Sequence, residues 1–408
     1  MTLSPWQSAI LREGELYRVG GAVRDKLLGV VTNHEDAEDV DYVVRGIPPD
    51  RFEAILGGFG RVEFVGKAFG VYKFKPMGAH ATIDIAYPRK EVSTGPGHRD
   101  FEVESDWRML VDVDLARRDF TINAIAESVG DGIVIDPCGG VKDIERRVLR
   151  MVFSGSFRED PLRILRGVRF ATRFRLTIDG ATRDEMTRSA PLIDTVSRER
   201  VQEEFTKLLT RCDRPSAGFA LMYDIGVLRH VLPELDRTVG VTQNEYHPDD
   251  VFWHSVKSCD AAPKENLIVR WAALLHDVGK VDRRQVIETD DGGSKVVFYR
   301  HERESAGVAA RVLRRLRYSN DVVRRVVRLV ENHMFYYRAE WNRSTVRRFI
   351  QRVGEPHIKD LFELRRADCL SRNKTDELEA LDELRARIAN ELREAKAFKI
   401  TDLAVDGR

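Results

Sequence analysis

The sequence predicts an α+β chain, in which an N-terminal head built on a mixed sheet with helices gives way to a long all-helical body. Three observations carry this reading. Over the first 140 or so residues, β-type runs alternate with glycine-containing turns. Beyond about residue 141 the strand signal nearly disappears and apolar residues recur at helical spacing. The composition, 42% hydrophobic and 33% charged, is too apolar for a disordered chain and too polar for a membrane-embedded one.

Taken in order, the strands are read in LYRVGGAV, DVDYVV, GVYKFKP, HATIDIAYP and GIVIDP. Helices follow in DPLRILRGVRFATRF, RERVQEEFTKLL, VRWAALLHDVGK, residues 305–316 and LFELRRADCL. Residues 288–298, ETDDGGSKVVF, read as a loop or short hairpin between them. The expected division is a head over 1–140, a helical neck and body over 141–240, a second helical domain over 241–375 and a helical tail over 376–408. The final residues, KITDLAVDGR, begin another apolar-patterned element and stop, which reads as a truncated tail, with a naturally short one as the alternative. The N-terminus has neither a long apolar run nor a small-residue cleavage site, which predicts a cytoplasmic protein with no membrane partner. Cys138, Cys212, Cys259 and Cys369 lie far apart and read as reduced thiols, against a disulfide framework or a zinc knuckle.

The formal net charge of +1 excludes a wholly basic nucleic-acid binder, but it sums over segregated charge. Residues 1–60 hold 6 Lys+Arg against 10 Asp+Glu. Residues 145–175 hold 9 Arg against 3 acids, and residues 311–352 hold 12 Arg against 3 acids. The two basic stretches are candidates for a phosphate path, although some of those arginines are expected only to solvate helix faces.

Gly20-Gly21-Ala22-Val23-Arg24-Asp25 follows a predicted strand and opens a helix that ends near Gly29. Backbone amides there can face an anion, although a Gly-Gly turn alone more often serves only tight geometry. Asp39-Val40-Asp41 enters the apolar run YVV, and in a strand residues i and i+2 share a face, so both carboxylates can converge on divalent metal such as Mg²⁺. The rival reading is a pair of solvated acids in the run EDAEDVD. The buried-looking strand and the nearby glycine turn favour the metal. Asp84, flanked by isoleucines, is either the third carboxylate of a two-metal phosphoryl-transfer site or a strand-edge acid facing solvent. In Arg117-Arg118-Asp119-Phe120-Thr121-Ile122-Asn123, Asp119 either caps a helix or joins Arg118 and Asn123 in binding phosphate and ribose hydroxyls.

Asp160-Pro161 is a good helix start, with Asp at the cap and Pro at the first turn. Asp160 and Arg163 then lie side by side, and Arg166 and Arg169 continue the row. Cytosine and adenine each present an amino donor beside a ring-nitrogen acceptor, so a carboxylate and a guanidinium together can accept both and reject guanine and uracil. A plain surface ion pair is the alternative.

In this order GGAVRDKLLG with DVD, ARRDFTINAIA, DPCGGVKDIERRVLR, REDPLRILRGVRF and SRERVQEEFTKLL resemble the bacterial CCA-adding tRNA nucleotidyltransferases, the class II polymerase-β-like superfamily that also holds poly(A) polymerases. The resemblance spans residues 17–209. It implies a polymerase-β-like nucleotidyltransferase head that adds C, C and A to tRNA 3′ ends from CTP and ATP. Asp39 and Asp41 would hold catalytic Mg²⁺; Gly20, Gly21, Arg24 and Asp25 would serve the triphosphate; Arg118, Asp119 and Asn123 would address the ribose. Asp160 and Arg163 would read the base, while Arg166 and Arg169 would help hold the triphosphate. Residues 88–115 would carry the flexible element that this family uses in switching from C to A. CC-only or A-only addition and poly(A) synthesis remain the close alternatives, and an HD phosphohydrolase whose head only binds RNA is the more distant one.

A second constellation lies in the body. Trp271 to Lys280, WAALLHDVGK, is an apolar helix ending in His276-Asp277 and a glycine stop, with His254 upstream and Asp368 downstream. His301 and His333 add two imidazoles, and together these supply nitrogen and oxygen ligands suited to a transition-metal hydrolase. This resembles the HD phosphohydrolase superfamily. The resemblance implies His254, His276, Asp277 and Asp368 as ligands of a divalent metal, and a phosphatase or 2′,3′-cyclic phosphodiesterase activity. His301 and His333 are either ligands of a second metal or ordinary histidines.

Overall fold

The computed structural model describes residues 3–30, 40–65, 70–79, 81–93, 101–243, 249–288 and 293–402. Asp39 and part of the 88–115 stretch therefore lie outside the described residues. The chain divides into two compact units, Met1–Thr195 and Val196–Arg408.

The first unit is built on a seven-stranded mixed sheet. Its strands are β1 (Glu15–Val19), β2 (Asp41–Arg45), β3 (Gly60–Val65), β4 (Val71–Pro76), β5 (Ile83–Ala86), β8 (Ala126–Ser128) and β9 (Val134–Ile135), in the spatial order β3-β4-β5-β2-β1-β8-β9. The β2–β5 pairing is parallel and the others are antiparallel. Strand β2 shows why the sheet must be covered on both faces. Tyr42 and Val44 join Trp6, Phe52, Phe74 and Ile85 in one core, while Val43 joins Val19, Val111 and Leu115 in another. Strands β6 (Arg89–Ser93) and β7 (Phe101–Ser105) pair antiparallel as a separate ribbon. Two-residue strands β10 (Val148–Leu149) and β11 (Thr177–Ile178) make a small parallel pair beyond the sheet.

The amphipathic helix Leu162–Phe174 buries Leu162, Ile164, Leu165, Val168 and Phe170. It starts one residue later than the sequence suggests. The short helix Ser156–Glu159 ends on Asp160, whose extended backbone (φ −138°, ψ 96°) puts Pro161 at the cap instead.

The second unit is helical. Its centre is the helix Leu267–Leu275, in which every residue from Ile268 onward is buried, so it reads apolar almost all round. Arg270 is the exception by chemistry. Its buried guanidinium donates to the carbonyls of Leu209 (2.7 Å), Cys212 (2.8 Å) and Ala262 (3.2 Å), satisfying chain ends that have no helical partner. The helices Val251–Ala261, His301–Arg315, Asn320–Asn332 and Glu355–Ser371 pack round it. Strands β12 (Gln285–Glu288) and β13 (Ser294–Val297) form the expected hairpin. The helix Asp376–Asp402 forms the C-terminal tail. Among the described residues, no helix is long and apolar enough to cross a membrane. All four cysteines are free thiols.

Candidate functional sites

In the first unit, register brings the glycine turn beside an acid. Asp41 opens β2 directly opposite Val19, the last residue of β1, and Gly20-Gly21 follows at once. In the parallel ladder Tyr42 pairs with Ile85, so Asp41 and Asp84 each precede a paired residue and share a face of the sheet with Val43. Both are solvent-accessible, and Asp84 is 3.4 Å from Lys73 Nζ. Oxygen donors open to water on neighbouring strands suit Mg²⁺.

Gly20 caps the helix Gly21–Leu27 with φ +69°, and a Cβ there would lie 2.7 Å from an Arg118 guanidinium nitrogen. The left-handed φ is what calls for glycine at that position, and a side chain there would also push the Arg118 guanidinium aside. Arg118 is held from behind by Asp114, 3.0 Å away, which is almost fully buried and also takes Arg117 at 2.6 Å. Burial works to raise the Asp114 carboxyl, but Arg118 and Arg117 outweigh it and hold it low.

Five of the expected nucleotide-binding residues form one connected array. Arg24 donates from Nε to Asp25 (2.7 Å) and from a terminal nitrogen to Asn123 Oδ1 (2.6 Å). Asn123 Nδ2 donates to Asp119 Oδ1 (2.9 Å), and Arg166 Nε donates to Asp119 Oδ2 (2.7 Å). Arg24 itself is buried against the faces of Phe170 and Phe174. Burial would raise the Asp119 carboxyl, but Arg166 and the Asn123 amide outweigh it and bring it down to about 2. Asp119 also accepts from Phe120 N at 2.8 Å, but it caps no helix, since the short 3-10 turn Thr121–Asn123 has Phe120 at its N-cap.

Arg163 and Asp160 are less simply paired than their spacing suggests. The Arg163 guanidinium donates to Ser156 Oγ (2.8 Å) and Arg117 O (3.2 Å) and lies 3.6 Å from Glu159. Asp160 accepts from Leu162 N at 3.2 Å. Arg169 is buried over the Phe170 ring. The motif DPCGG proves to support the array rather than join it. Asp136 takes Gly140 N (2.7 Å) and Val141 N (2.9 Å), and Gly140 packs so tightly on Thr121 O that a Cβ would lie 2.1 Å from it.

In the second unit all six predicted side chains converge. The end of the helix Leu267–Leu275 supplies His276 and Asp277; His254 comes from Val251–Ala261, Asp368 from Glu355–Ser371, His301 opens one helix and His333 closes another. His254 Nε2 lies 3.1 Å from His276 Nε2 and 3.3 Å from both Asp277 Oδ2 and Asp368 Oδ1. His301 Nε2 lies 3.1 Å from Asp277 Oδ1, and His333 Nε2 lies 3.7 Å from it.

The far side of each ring fixes its tautomer. Nδ1 of His276, His301 and His333 meets the carbonyls of Ala273 (2.8 Å), Phe298 (2.9 Å) and Val330 (2.7 Å). A carbonyl only accepts, so Nδ1 carries the proton and Nε2 turns a lone pair inward. His254 Nδ1 meets Ser371 Oγ (3.1 Å), whose own proton goes to Asp368 O (2.8 Å). Asp277 Oδ1, His301 Nε2 and His333 Nε2 are buried without a hydrogen-bond partner among the described residues. Inward lone pairs among buried carboxylates call for a cation, and imidazole with carboxylate is a donor set for a divalent transition metal. His254 shows the same demand: burial pulls its proton affinity down, but Asp277 and Asp368 outweigh that and raise it. At His333 burial, reinforced by His276, lowers it to about 3.

Lys280, Arg365, Arg372 and Ser371 escaped notice in the sequence. Lys280 Nζ is buried 2.7 Å from Asp277 Oδ2, and Arg365 and Arg372 bind Asp368 at 2.6 Å and 3.1 Å. Their signal was helical spacing, since positions −3 and +4 from Asp368 share its face. A cavity of about 290 Å³ opens over the centre, edged by β13 and by these cations.

The chain matches the Poly A polymerase head domain over residues 16–150, the probable RNA and SrmB-binding site of polymerase A over 175–238 and the HD domain over 245–373. It is 38% identical over 315 residues to the Multifunctional CCA protein of Herminiimonas arsenicoxydans, covering 75% of this chain and 70% of that protein. To that of Aromatoleum aromaticum it is 37% identical over 357 residues, covering 86% and 82%. The fold is similar to Bacillus stearothermophilus CCA-adding enzyme in complex with CTP, with TM-score 0.64, 23% identity and coverage of 95% and 83%. It is also similar to Thermotoga maritima CCA-adding enzyme complexed with tRNA, with TM-score 0.57, 21% identity and coverage of 95% and 83%.

Proposed function

Because the chain belongs to the multifunctional CCA protein family, CCA-adding tRNA nucleotidyltransferases that carry an HD domain, we propose that it adds C, C and A to tRNA 3′ ends from CTP and ATP and hydrolyses phosphate esters at its HD centre. The observation that carries the first activity is the array Arg24–Asn123–Asp119–Arg166 together with two carboxylates, Asp41 and Asp84, on one sheet face.

In this reading Asp41 and Asp84, with Asp39, hold Mg²⁺. The divalent cations, when bound, supply charge stabilisation at the phosphoryl group in either unit. The protein's own side chains bind and orient. Gly20 and Gly21 let the backbone approach the triphosphate, with Arg24 and Asp25 shaping the turn and Arg166 and Arg169 adding positive charge. Arg118, Asp119 and Asn123 position the ribose. Asp160 and Arg163 present an acceptor and a donor to the base edge, for which Arg163 must leave Ser156. At the HD centre His254, His276, Asp277 and Asp368 hold the metal, with His301 and His333 facing the same space. Water would open a 2′,3′-cyclic phosphate to a terminal monophosphate, or release a terminal monophosphate as inorganic phosphate and leave a free hydroxyl. The finer division into head 1–140, neck and body 141–240, HD domain 241–375 and tail 376–408 belongs to the same reading.

The test offers purified tRNA lacking CCA, CC-ended tRNA and a poly(A) primer with each labelled nucleotide. CMP and AMP should enter only in the order C, C, A. Incorporation of UMP or GMP, or AMP tailing of a primer without a CC end, would contradict it. Asp41→Ala should abolish addition and leave phosphate-ester hydrolysis intact.

A further inference from the structure

Beside the HD centre the second unit carries a cavity of about 340 Å³ that none of these activities uses. It is lined by Met334, Tyr336, Trp341 and Phe349, with Arg348 and Arg352 on its edge. No carboxylate is among the residues that line it; Arg348 donates to Thr345 Oγ1 (3.3 Å) and Arg352 lies over the Phe349 ring.

The chain that builds it starts at the metal centre. From His333 to Arg338 burial alternates residue by residue: His333, Phe335 and Tyr337 turn inward, and Met334, Tyr336 and Arg338 turn outward. Tyr336 is 71% exposed and Met334 57%, which is unusual for large apolar side chains placed next to one another. Arg338 stacks over the Tyr336 ring and Arg352 over Phe349, so the cations already sit against π faces. Met334 lines both this cavity and the one over the HD centre, so the two adjoin at its side chain.

Open aromatic faces with guanidinium groups and no acids fit an unpaired nucleotide, whose base stacks and whose phosphate takes the arginines. The volume lies at the small end of the roughly 300–1,000 Å³ typical of ligand sites, enough for one nucleotide and too little for a folded segment. We propose that this groove seats the nucleotide preceding the phosphate-bearing end of an RNA strand, so that the HD centre acts on RNA termini in preference to free nucleotides. The proposal rests on the reading of the HD centre as a phosphohydrolase.

The experiment uses the full chain loaded with Co²⁺, and compares hydrolysis of 2′,3′-cyclic AMP with that of a four-nucleotide RNA ending in the same cyclic phosphate. Tyr336→Ala and the double variant Arg348→Ala/Arg352→Ala should lower kcat/KM on the tetranucleotide by about tenfold or more, through KM, and leave the mononucleotide unchanged. Tyr336→Phe should restore the wild-type value. Equal losses on both substrates, or none, overturn the proposal. If the wild-type chain hydrolyses neither substrate, the phosphohydrolase reading fails, and the groove is judged separately by photocrosslinking a 4-thiouridine tetranucleotide. Adducts at Tyr336 or Trp341 then support it, and adducts confined to the first unit overturn it. A shift in oligomeric state of the Tyr336→Ala chain by light scattering, with RNA hydrolysis unchanged, identifies a protein interface and overturns it as well.

Discussion

The Nε2 atoms of His254 and His276 stand 3.1 Å apart at the centre of the second unit, each ring tethered through Nδ1, one to Ser371 Oγ and the other to Ala273 O. Two imidazoles so oriented each offer an electron pair to the space between Asp277 and Asp368, and the tethers remove the freedom to turn away. The full chain should therefore bind Co²⁺ with visible absorption bands from coordinated nitrogen. His254→Ala and His276→Ala should each weaken binding by about 10–100-fold or more, and Ser371→Ala by a smaller factor through loss of ring orientation. Isothermal titration with the metal checks this; an unchanged affinity in His276→Ala would remove the centre from consideration.

Asp119 makes the first unit sensitive to acid. Its carboxyl is held at about 2 against an ordinary 3.8, because Arg166 and Asn123 outweigh its burial. A depressed carboxyl stabilises the fold above its unfolded value, and that contribution is lost as pH falls from about 4 through 2. The shift corresponds to about 2 kcal/mol in total. In Asp119→Asn the loss should already be present at pH 7, and the pH dependence between 4 and 2 should flatten. Urea unfolding of both proteins at pH 7, 4 and 2.5 measures it. Addition activity should fall in the same variant because Arg166 and Asn123 lose their shared anchor.

Much of the HD centre was legible in the sequence because histidine and aspartate at helix ends, with apolar residues behind them, leave few other roles. The head was legible for a related reason: Asp41 opens a strand, and Asp84 lies within another, whose other residues are mostly apolar. Charge counting was less informative. In the stretch 311–352, Arg315 pairs with Glu234, Arg325 with Asp360, and Arg343 and Arg347 with Glu391. Those acids lie on other helices, far away in sequence, so a local excess of arginine overstated the free positive surface. Arg163 was obscured likewise, since only the fold brings the Arg117 carbonyl to its guanidinium. Lys280, Arg365 and Arg372 needed the identity of the ion pair before their spacing meant anything.

Gly140 tests whether the DPCGG turn is structural. A Cβ there would meet Thr121 O at 2.1 Å, and the clash is with backbone that also carries Asn123. Gly140→Ala should destabilise the first unit by about 1–3 kcal/mol or more, since neither strand of backbone can give way cheaply. Thermal unfolding should show an earlier first transition. CTP affinity should fall with it. A stable Gly140→Ala protein with normal addition would show that the turn relaxes freely.

Lys280 separates holding the metal from tuning the site. Its ammonium is buried 2.7 Å from Asp277 Oδ2, donates to Gln243 Oε1 at 2.6 Å and lies over the Phe298 ring. Burial pushes the Asp277 carboxyl up, and His276 with Lys280 outweighs it, so the ion pair helps keep that carboxylate ionised. Lys280→Met preserves most of the side-chain packing and removes the charge. Breaking a buried pair leaves a carboxylate uncompensated, at a cost of about 3–5 kcal/mol where nothing replaces the cation. A bound divalent metal is such a replacement, so the Lys280→Met protein should lose thermal stability in chelator and regain most of it when Co²⁺ is added. Phosphate-ester hydrolysis should fall because the cavity over the centre loses one of the cations that line it, while CCA addition stays at the wild-type rate. Parallel melting curves and the two activity assays on one preparation decide it: equal destabilisation with and without metal would mean that Lys280 supports the fold and not the charge on Asp277.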